Sequence, residues 1–396
     1  MLVRLSLDVP ILLALLTPAV LGGQATPRDF HFESSGQTTV ALNRQSVFEA
    51  TINGKGPFKL FFDTGAGVNI LNPEVIAQLG LTSAGHGERL HGLSGGKVEA
   101  RPYRADELRI GNLTLTGQTF YSVPMPLPQD TQIVGAVGYE LMSRLIIRAD
   151  YEHQQLTLFD PERFSERVSG ERLELLQDER QLVAHLRVGK AAGDFVLDTG
   201  AIGKSGILVA GWFTRQNHLL RDFGRHYHGV FSGGADGNAP PASRERIRAV
   251  CFGVACVPGV VGEFSDDTAK SQYAGRVGLE LLSRFTLTID WQHRAIYFDK
   301  APHWDQPVVY DQTGLLENPS DKGTVLTVVD VYPHSPADKA HIKAGDRIVL
   351  INNHPPAPTW YGDDPAFLQP AGTVVNLTIQ RGNTSLQIQL KLKDIL

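Results

Sequence analysis

The stretch KLFFDTGAGVNIL, residues 59–71, leads a short apolar strand into an aspartate and a glycine-containing turn. The same arrangement recurs at residues 194–201 as DFVLDTGA, where Asp198 takes the place of Asp63. An ionised carboxylate beside an apolar wall costs free energy unless another group pairs with it or solvates it. Because the chain carries this costly arrangement twice, we expect the two carboxyl groups to be used together.

The chain repeats other landmarks around these two aspartates. GAVGYELMSRL, from Gly135, matches GRVGLELLSRF, from Gly275, and HGLSGG at His91 matches HGVFSGG at His228. The landmarks keep the same order in both halves, and the offset between matching positions stays between 135 and 140 residues. Self-similarity at a nearly fixed period indicates a duplicated unit of about 130 residues.

Length and composition set the broad class of the protein. A chain of 396 residues is too long for a single core and indicates roughly two or three domains. The 40 glycines and 23 prolines, among many short apolar runs, favour short strands and turns over helical bundles. The net charge of −5 and the lack of a long basic run do not indicate a nucleic-acid surface.

The first 25 residues have the pattern of an export signal. Arg4 precedes the apolar stretch VPILLALLTPAVLGG, and small residues follow at Gly23 and Ala25. Such a signal peptide predicts a periplasmic or extracellular protein. A permanent membrane helix is the less favoured alternative, because the stretch is short and contains two prolines.

The two cysteines, Cys251 and Cys256, lie in the segment AVCFGVACV. Apolar residues flank Phe252 and Gly253, which predicts a tight hairpin whose strands a disulfide could join in an oxidising compartment. A pair of buried thiols is the alternative. No second pair of ligands follows at a suitable spacing, so we predict no zinc site.

The two Asp-Thr-Gly segments, each followed later by a Val-Gly segment, resemble the two lobes of aspartic proteases. The compact lobes and Gly-rich loops are most similar to the retropepsin-like branch, and the resemblance covers residues 36–303. It implies a mostly β fold of duplicated, acid-protease-like β-barrel lobes with short helices. It also implies a catalytic pair, Asp63 and Asp198, and four residues that support the pair, which are Thr64, Gly65, Thr199 and Gly200. The two threonines are expected to hydrogen-bond across the junction between the lobes.

The resemblance further implies that a Gly-rich loop of each lobe forms a flap over an extended peptide substrate. The predicted flap residues are Gly92, Leu93, Ser94 and Gly95 in the first lobe and Gly229, Val230, Ser232 and Gly233 in the second. Closure of a flap excludes water from the bond being cleaved. An exposed turn without such a role is the alternative reading.

Beyond the second lobe the pattern changes. GTVLTVVDV, SPADKAHIKAGDRIVLINN and PAGTVVNLTIQRG resemble a PDZ domain of the kind appended to bacterial exported proteases. A PDZ domain implies binding of an extended peptide by addition of a strand to a sheet edge. The residues expected to do so are Gly323, Thr324, Val325 and Leu326. The predicted units are a signal peptide (1–25), two protease lobes (36–163 and 175–303), a linker (304–314) and the PDZ domain (315–396).

A reaction that needs two carboxyl groups explains why the motif occurs twice. One group must accept a proton from water while the other donates one to the substrate. Two carboxyl groups about 3 Å apart share one proton and titrate as a pair. The expected activity is therefore that of an aspartic endopeptidase, with a polypeptide substrate and with neither a metal nor a cofactor.

Two alternatives stay open at this point. The lobes could form a non-catalytic, peptide-binding cleft, and Lys204, in the second turn, favours this alternative. An ammonium group beside the pair would hold a carboxylate ionised and prevent proton sharing. The lobes could also act only as a dimer, although the duplication makes a partner subunit unnecessary.

Overall fold

The computed structural model describes residues 28–91, 97–125, 132–176, 180–202, 205–220, 228–229, 242–265, 272–308, 310–320, 324–357 and 364–396. Within these residues strands dominate and the helices are short, which confirms the prediction of a mostly β fold. The strands form sheets of nine, six, seven and five members. Over the same residues, no helix is long and apolar enough to cross a bilayer.

The first half of the chain contains the nine-stranded sheet and carries the Asp63 turn. Its strands are β1 (Phe30–Phe32), β2 (Gln37–Ala41), β3 (Val47–Ile52), β4 (Lys55–Phe62), β5 (Asn69–Leu71), β6 (Thr82–Ser83), β7 (Glu88–His91), β8 (Lys97–Ile110), β9 (Leu113–Ser122), β10 (Ile133–Val137), β11 (Ile146–Asp150) and β12 (Gln155–Phe159). Its helices are α1 (Pro73–Leu79) and α2 (Tyr139–Met142). Of these strands, β2, β11 and β12 belong to the six-stranded sheet.

Local sequence sets the ends of α1. Pro73 occupies its first turn, where a missing N–H is tolerated. Gly80 ends the helix with a left-handed φ of 69° and donates its N–H to the carbonyls of Ile76 and Ala77. The buried side chains Val75, Ile76 and Leu79 belong to the core cluster, so this face of the helix packs into the core.

The second half carries the Asp198 turn in the seven-stranded sheet. Its strands are β13 (Glu171–Glu174), β14 (Val183–Val188), β15 (Ala191–Leu197), β16 (Ile207–Val209), β17 (His228–Gly229), β18 (Ala242–Phe252), β19 (Ala255–Ser265), β20 (Gly275–Val277), β21 (Phe285–Asp290) and β22 (Ala295–Lys300). Its helices are α3 (Gly211–Gln216) and α4 (Leu279–Leu282). Strands β13, β21 and β22 belong to the six-stranded sheet.

The two aspartate turns lie at equivalent places in their sheets. Strand β10 lies between β4 and β5, and β20 lies between β15 and β16. In both sheets the first of these pairings is parallel and the second antiparallel. Each turn therefore crosses the end of a central strand, which places an aspartate at the inner edge of each half.

The six-stranded sheet joins the two halves, with the order β13-β22-β21-β11-β12-β2. At its centre β11 and β21 are antiparallel, and Ile147 lies opposite Ile289. Buried hydrophobic residues from both halves, from Leu42 to Phe298, form one large core cluster. Both aspartate turns are consequently supported by a single continuous core.

Cys251 and Cys256 face each other on β18 and β19, and their sulfurs form a disulfide. The turn between the two strands is formed by Gly253 and Val254, and Gly253 has a left-handed φ of 59°. The hairpin register alone brings the two cysteines opposite each other, which explains why the short spacing permits a bond between strands.

The C-terminal sheet has its own core, which includes Leu326, Ile348 and Phe367. Its strands, in the order in which they pair, are β23 (Leu315–Ser320), β24 (Val325–Val331), β25 (Arg347–Ile351), β26 (Val374–Arg381) and β27 (Thr384–Lys391). Helix α5 (Pro336–Lys339) and a 3-10 helix (Pro365–Leu368) complete the unit.

The sheet order corrects one expectation about this unit. Val325 and Leu326 lie in β24, which has β23 on one side and β25 on the other. A peptide cannot add to a strand whose two edges are already paired, so peptide addition along Val325 and Leu326 was the wrong prediction. Thr324 lies in the turn just before β24, and Gly323 lies outside the described residues.

The C-terminal unit contacts the second half of the chain. Ile395 and Leu396 pack with Tyr310 of the linker and with Val261 of β19. The Tyr310 hydroxyl accepts hydrogen bonds from the N–H groups of Ile395 at 3.1 Å and Leu396 at 3.3 Å. The guanidinium of Arg246 lies 5.0 Å from the centre of the Tyr310 ring. The linker is therefore packed between the two units.

Candidate active site

Backbone hydrogen bonds hold the two aspartates in matching positions. The N–H of Asp63 donates to the carbonyl of Val137, and the N–H of Asp198 donates to the carbonyl of Val277, both at 2.9 Å. The Val-Gly segments noted in the sequence are thus the strands that hold the aspartates. Their glycines lie close behind the turns, since a Cβ at Gly138 would come within 2.1 Å of the Asp63 carbonyl oxygen.

Thr64 and Thr199 connect the two turns through exchanged hydrogen bonds. The N–H of Thr199 donates to the Thr64 hydroxyl at 2.9 Å, and the N–H of Thr64 donates to the Thr199 hydroxyl at 3.1 Å. Each hydroxyl in turn donates to a carbonyl of the opposite half, at Leu197 (2.8 Å) and at Phe62 (2.6 Å). Both threonines are buried, so these bonds hold the turns in a fixed relative position.

The glycines of the two turns allow the carboxyl groups to approach. A Cβ at Gly65 would lie 2.4 Å from the Asp198 carboxyl carbon, and one at Gly200 would lie 2.2 Å from the Asp63 carboxyl carbon. Real Cβ atoms do not come so close, so any other residue would displace the opposite aspartate. Each acid therefore occupies space left open by the glycine of the other turn.

The environment of the Asp63 carboxyl favours its protonated form. Burial raises the pKa of Asp63 well above its usual range, and the adjacent charge of Asp198 and a hydrogen bond with that carboxyl raise the pKa further. The charge of Arg276 and the N–H of Gly65 act in the opposite direction but are weaker. Two carboxyl groups in contact cannot both ionise easily, so the pair holds a proton at a pH where a single exposed aspartate would not.

Arg276 is a contact of the pair that the sequence analysis missed. It lies in the middle of β20, and its Nη1 hydrogen-bonds Oδ2 of Asp198. The side chains of Arg276 and Asp198 are 17% and 4% exposed. A signal was available in the repeat, because GAV at residues 135–137 becomes GRV at residues 275–277.

A second layer of hydrogen bonds supports the Asp63 side of the junction. The Ser46 hydroxyl donates to the Phe62 carbonyl at 2.7 Å and lies 3.0 Å from the Tyr151 hydroxyl. Tyr151 is buried, and burial raises its pKa, so it stays neutral and can act only through hydrogen bonds. The carbonyl that receives the Thr199 hydroxyl thus has two hydroxyl donors.

Strands β7 and β8 form a hairpin, and the last pair of residues that the structure describes in it is His91 and Lys97. The residues between them, including Gly92, Leu93, Ser94 and Gly95, lie outside the described residues. In the second half, Gly229 pairs with Ala242 at the start of a similar hairpin. Val230, Ser232 and Gly233 are outside the described residues, as is Lys204.

Metal ligands do not converge anywhere in the part of the chain that the structure describes, where no three His, Cys, Asp or Glu side chains lie close enough to hold an ion. The carboxyl groups of the site instead accept hydrogen bonds from backbone N–H donors. Oδ1 of Asp63 accepts from Gly65 at 2.9 Å, and Oδ1 of Asp198 accepts from Gly200 at 2.8 Å and from Ala201 at 3.0 Å. The arrangement is suited to moving a proton between the pair and a bound water.

Two segments of the chain match known families. Residues 48–141 match the aspartyl protease family, and residues 327–381 match the PDZ domain family. The predicted resemblance to retropepsin-like aspartic proteases with a C-terminal PDZ domain is thereby confirmed at the level of the family. The first match contains the Asp63 turn and β10, whereas the Asp198 turn lies outside both matched segments. No curated protein matches the chain.

Proposed function

We propose that this protein is an aspartic endopeptidase in which Asp63 and Asp198 together activate a water molecule and hydrolyse peptide bonds of extended polypeptides. The observation that carries the proposal is the mutual approach of the two carboxyl groups, each in the space beside the glycine of the opposite turn. A peptide-binding cleft without catalysis does not require two acids in contact. The family match of residues 48–141 supports the same activity.

The reaction needs one carboxylate and one carboxylic acid. As water attacks the carbonyl carbon of the substrate, the carboxylate accepts a proton from the water and the acid donates its proton to the carbonyl oxygen. The tetrahedral diol then breaks down: the carboxyl that took the proton of the water gives it to the amine nitrogen, and the C–N bond breaks. The other carboxylate takes a proton from one hydroxyl of the diol, which leaves a carboxylic acid. The pair ends the cycle with the one proton it began with, and no covalent intermediate forms.

The PDZ domain is proposed to bind a peptide segment of the substrate or of another polypeptide. Strand β23 is an outer strand of its sheet and precedes the loop in which Gly323 and Thr324 were predicted to act. Its outer edge therefore replaces β24 as the proposed place of strand addition.

The duplication and the export of the protein also remain proposals. The matching landmarks at offsets of 135 to 140 residues and the like arrangement of strands around each turn support the duplication. The N-terminal pattern supports export to the periplasm or outside the cell. The Cys251–Cys256 disulfide is consistent with an oxidising compartment.

The activity can be tested with a mixture of peptides whose cleavage products are identified by mass spectrometry, at pH values from roughly 3 to 8, the range in which such pairs titrate. We expect the wild-type protein to cleave and a statine-type inhibitor to block cleavage. Asp63→Asn and Asp198→Asn should each abolish cleavage, because each removes one of the two proton-transferring groups.

A matched control is Asp106→Asn, which changes an exposed aspartate on β8 of the same sheet. This variant should cleave like the wild type. Circular dichroism should show that all three variants are folded. Full activity in Asp198→Asn would contradict the mechanism, and absence of cleavage by the wild type at every pH would favour the non-catalytic, peptide-binding alternative.

A further inference from the structure

The two halves differ in charge at one position that faces the acid pair. Strand register places Arg276 where the first half has Ala136. Ala136 lies opposite Phe61 and Ile70, and the matching partners of Arg276 are Val196 and Leu208. Ala136 is fully buried, so the second half holds a cation at a position that is apolar and closed in the first.

The contacts of the two aspartates are correspondingly unequal. Asp198 accepts hydrogen bonds from two backbone N–H groups on Oδ1 and from the Arg276 guanidinium on Oδ2. Among the described residues, Asp63 accepts from one backbone N–H, that of Gly65, on Oδ1. Hydrogen bonds to the charged form and a nearby cation both favour ionisation of a carboxyl group. The geometry thus favours the negative charge on Asp198.

We infer that Arg276 is a positioning residue that holds Asp198 as the ionised member of the pair and leaves the shared proton on Asp63. This inference rests on the proposed function and assigns separate roles to its two acids. Asp198 is the carboxylate that accepts the proton of the attacking water, and Asp63 is the acid that donates a proton to the carbonyl oxygen. The two proton transfers, and the atoms they involve, are those of the proposed mechanism.

Arg276 does not remove the conditions for proton sharing. It contacts Asp198 on Oδ2 while a hydrogen bond still joins the carboxyl groups of Asp63 and Asp198. With one proton on the pair, the guanidinium and the remaining carboxylate have no net charge, which reduces the cost of burial. Arg276 therefore stabilises the singly protonated pair against a second proton, and it also makes loss of the last proton easier.

The positive charge of Arg276 determines the direction in which the pH–activity profile should shift. Removing the cation should shift both limbs of the pH–activity profile to higher pH, because both protonation steps of the pair become more favourable. Among the residues that the structure describes, Arg276 on β20 is the cation that acts on the pair, and Tyr151, which follows β11, hydrogen-bonds Thr199 and stays neutral. Arg276 is therefore the described charge whose removal the profile should report.

The test compares Arg276→Gln, which removes the charge and keeps most of the volume, with Arg276→Lys, which keeps the charge. The readout is kcat/KM for one cleaved peptide as a function of pH. We expect Arg276→Gln to raise the acid limb by about 1 pH unit or more, since an opposite charge at this distance shifts a carboxyl by about 1–3 units. Arg276→Lys should restore at least half of that shift.

Arg284→Gln is the matched control, because Arg284 is a similarly enclosed arginine, 13% exposed, whose carboxylate partner is Glu280, at 3.0 Å. It should leave both limbs in place. Equal acid limbs in the wild type and Arg276→Gln would overturn the inference, as would an equal shift in Arg284→Gln.

Unfolding in urea separates this inference from the proposed function. If Arg276 fixes the charge of Asp198, Arg276→Gln should destabilise the wild type at neutral pH but have little effect in an Asp198→Asn background. Loss of all cleavage in the wild type would reject the proposed function, and the double-mutant comparison would still decide the pairing. An equal effect of Arg276→Gln in both backgrounds would reject the charge assignment.

Discussion

Replacing each junction threonine with valine should destabilise the protein unequally. Thr64→Val keeps the shape of the side chain but leaves the Thr199 N–H and the Leu197 carbonyl without the hydroxyl that pairs with them. A buried polar group left without its partner costs about 1–3 kcal/mol. With two such groups, and because larger effects are exceptional, we expect the free energy of unfolding to fall by about 2–5 kcal/mol.

Thr199→Val should cost less. It leaves the Thr64 N–H unpaired, but the Phe62 carbonyl keeps the hydrogen bond from the Ser46 hydroxyl. The Tyr151 hydroxyl, which also hydrogen-bonds Thr199, keeps Ser46 as a partner. We therefore expect a loss of about 1–3 kcal/mol. Leu182 and Ser46 occupy matching positions, because their carbonyls accept from the N–H groups of Leu197 and Phe62, respectively. Only Ser46 carries a hydroxyl, so only the Phe62 carbonyl has a second hydroxyl donor.

The measurement is equilibrium unfolding in urea, followed by tryptophan fluorescence. Trp212, Trp291 and Trp304 all pack against the core shared by the two halves, so the signal reports mainly on the unit that contains the junction. Thr157→Val is the control, because its hydroxyl pairs with that of Thr39 at the surface and its loss should cost less than about 0.5 kcal/mol. Equal destabilisation by Thr199→Val and Thr64→Val would contradict the predicted inequality. If neither variant is less stable than the control, the hydrogen bonds of the two threonines do not stabilise the junction as predicted.

Two further predictions concern the disulfide and the PDZ domain. Replacing both Cys251 and Cys256 with Ala should lower the free energy of unfolding by about 2 kcal/mol at most, because the disulfide closes a short loop whose strands are already paired. The loss is measured by comparing the melting temperatures of the oxidised wild type and the double variant. In the PDZ domain, burial opposes the charge of Asp346, but the hydrogen bond and charge of Arg381 lower its pKa overall. The stabilisation that ionised Asp346 gives the folded state is present above the ordinary aspartate pKa and is lost as pH falls through the lowered value. Acidification from about pH 6 to 3 should therefore lower the melting temperature of the wild type more than that of Asp346→Asn. Calorimetric scans in which both proteins respond equally would contradict this prediction.

Much of the candidate site could be predicted from short segments, because its chemistry is local. The aspartate, threonine and glycine are consecutive residues that follow an apolar strand, and the structure places them in one turn in each half. The exchange of hydrogen bonds by Thr64 and Thr199 was expected from the resemblance, and the two residues are paired as described. The mostly β fold followed from strand-length apolar runs and frequent turn residues.

The errors arose where a conclusion depended on which strands are neighbours. Peptide addition at Val325 and Leu326 required a free edge, and strand order placed β24 inside its sheet. The contact of Arg276 with Asp198 was missed for the same reason, because the two residues are 78 positions apart in the chain. Parallel pairing of β15 with β20 brings Arg276 there.

The sequence by itself determined that two equivalent acid turns exist, since covalent order and side-chain chemistry are sufficient for a motif of three residues to be recognised. Tertiary structure alone decided that Asp63 and Asp198 touch, that their surroundings are unequal, and that a guanidinium lies on one of them. Such features depend on the register of strands far apart in the chain, and that register is set by packing of the whole core. The charge distribution of the pair is therefore a property of the folded molecule.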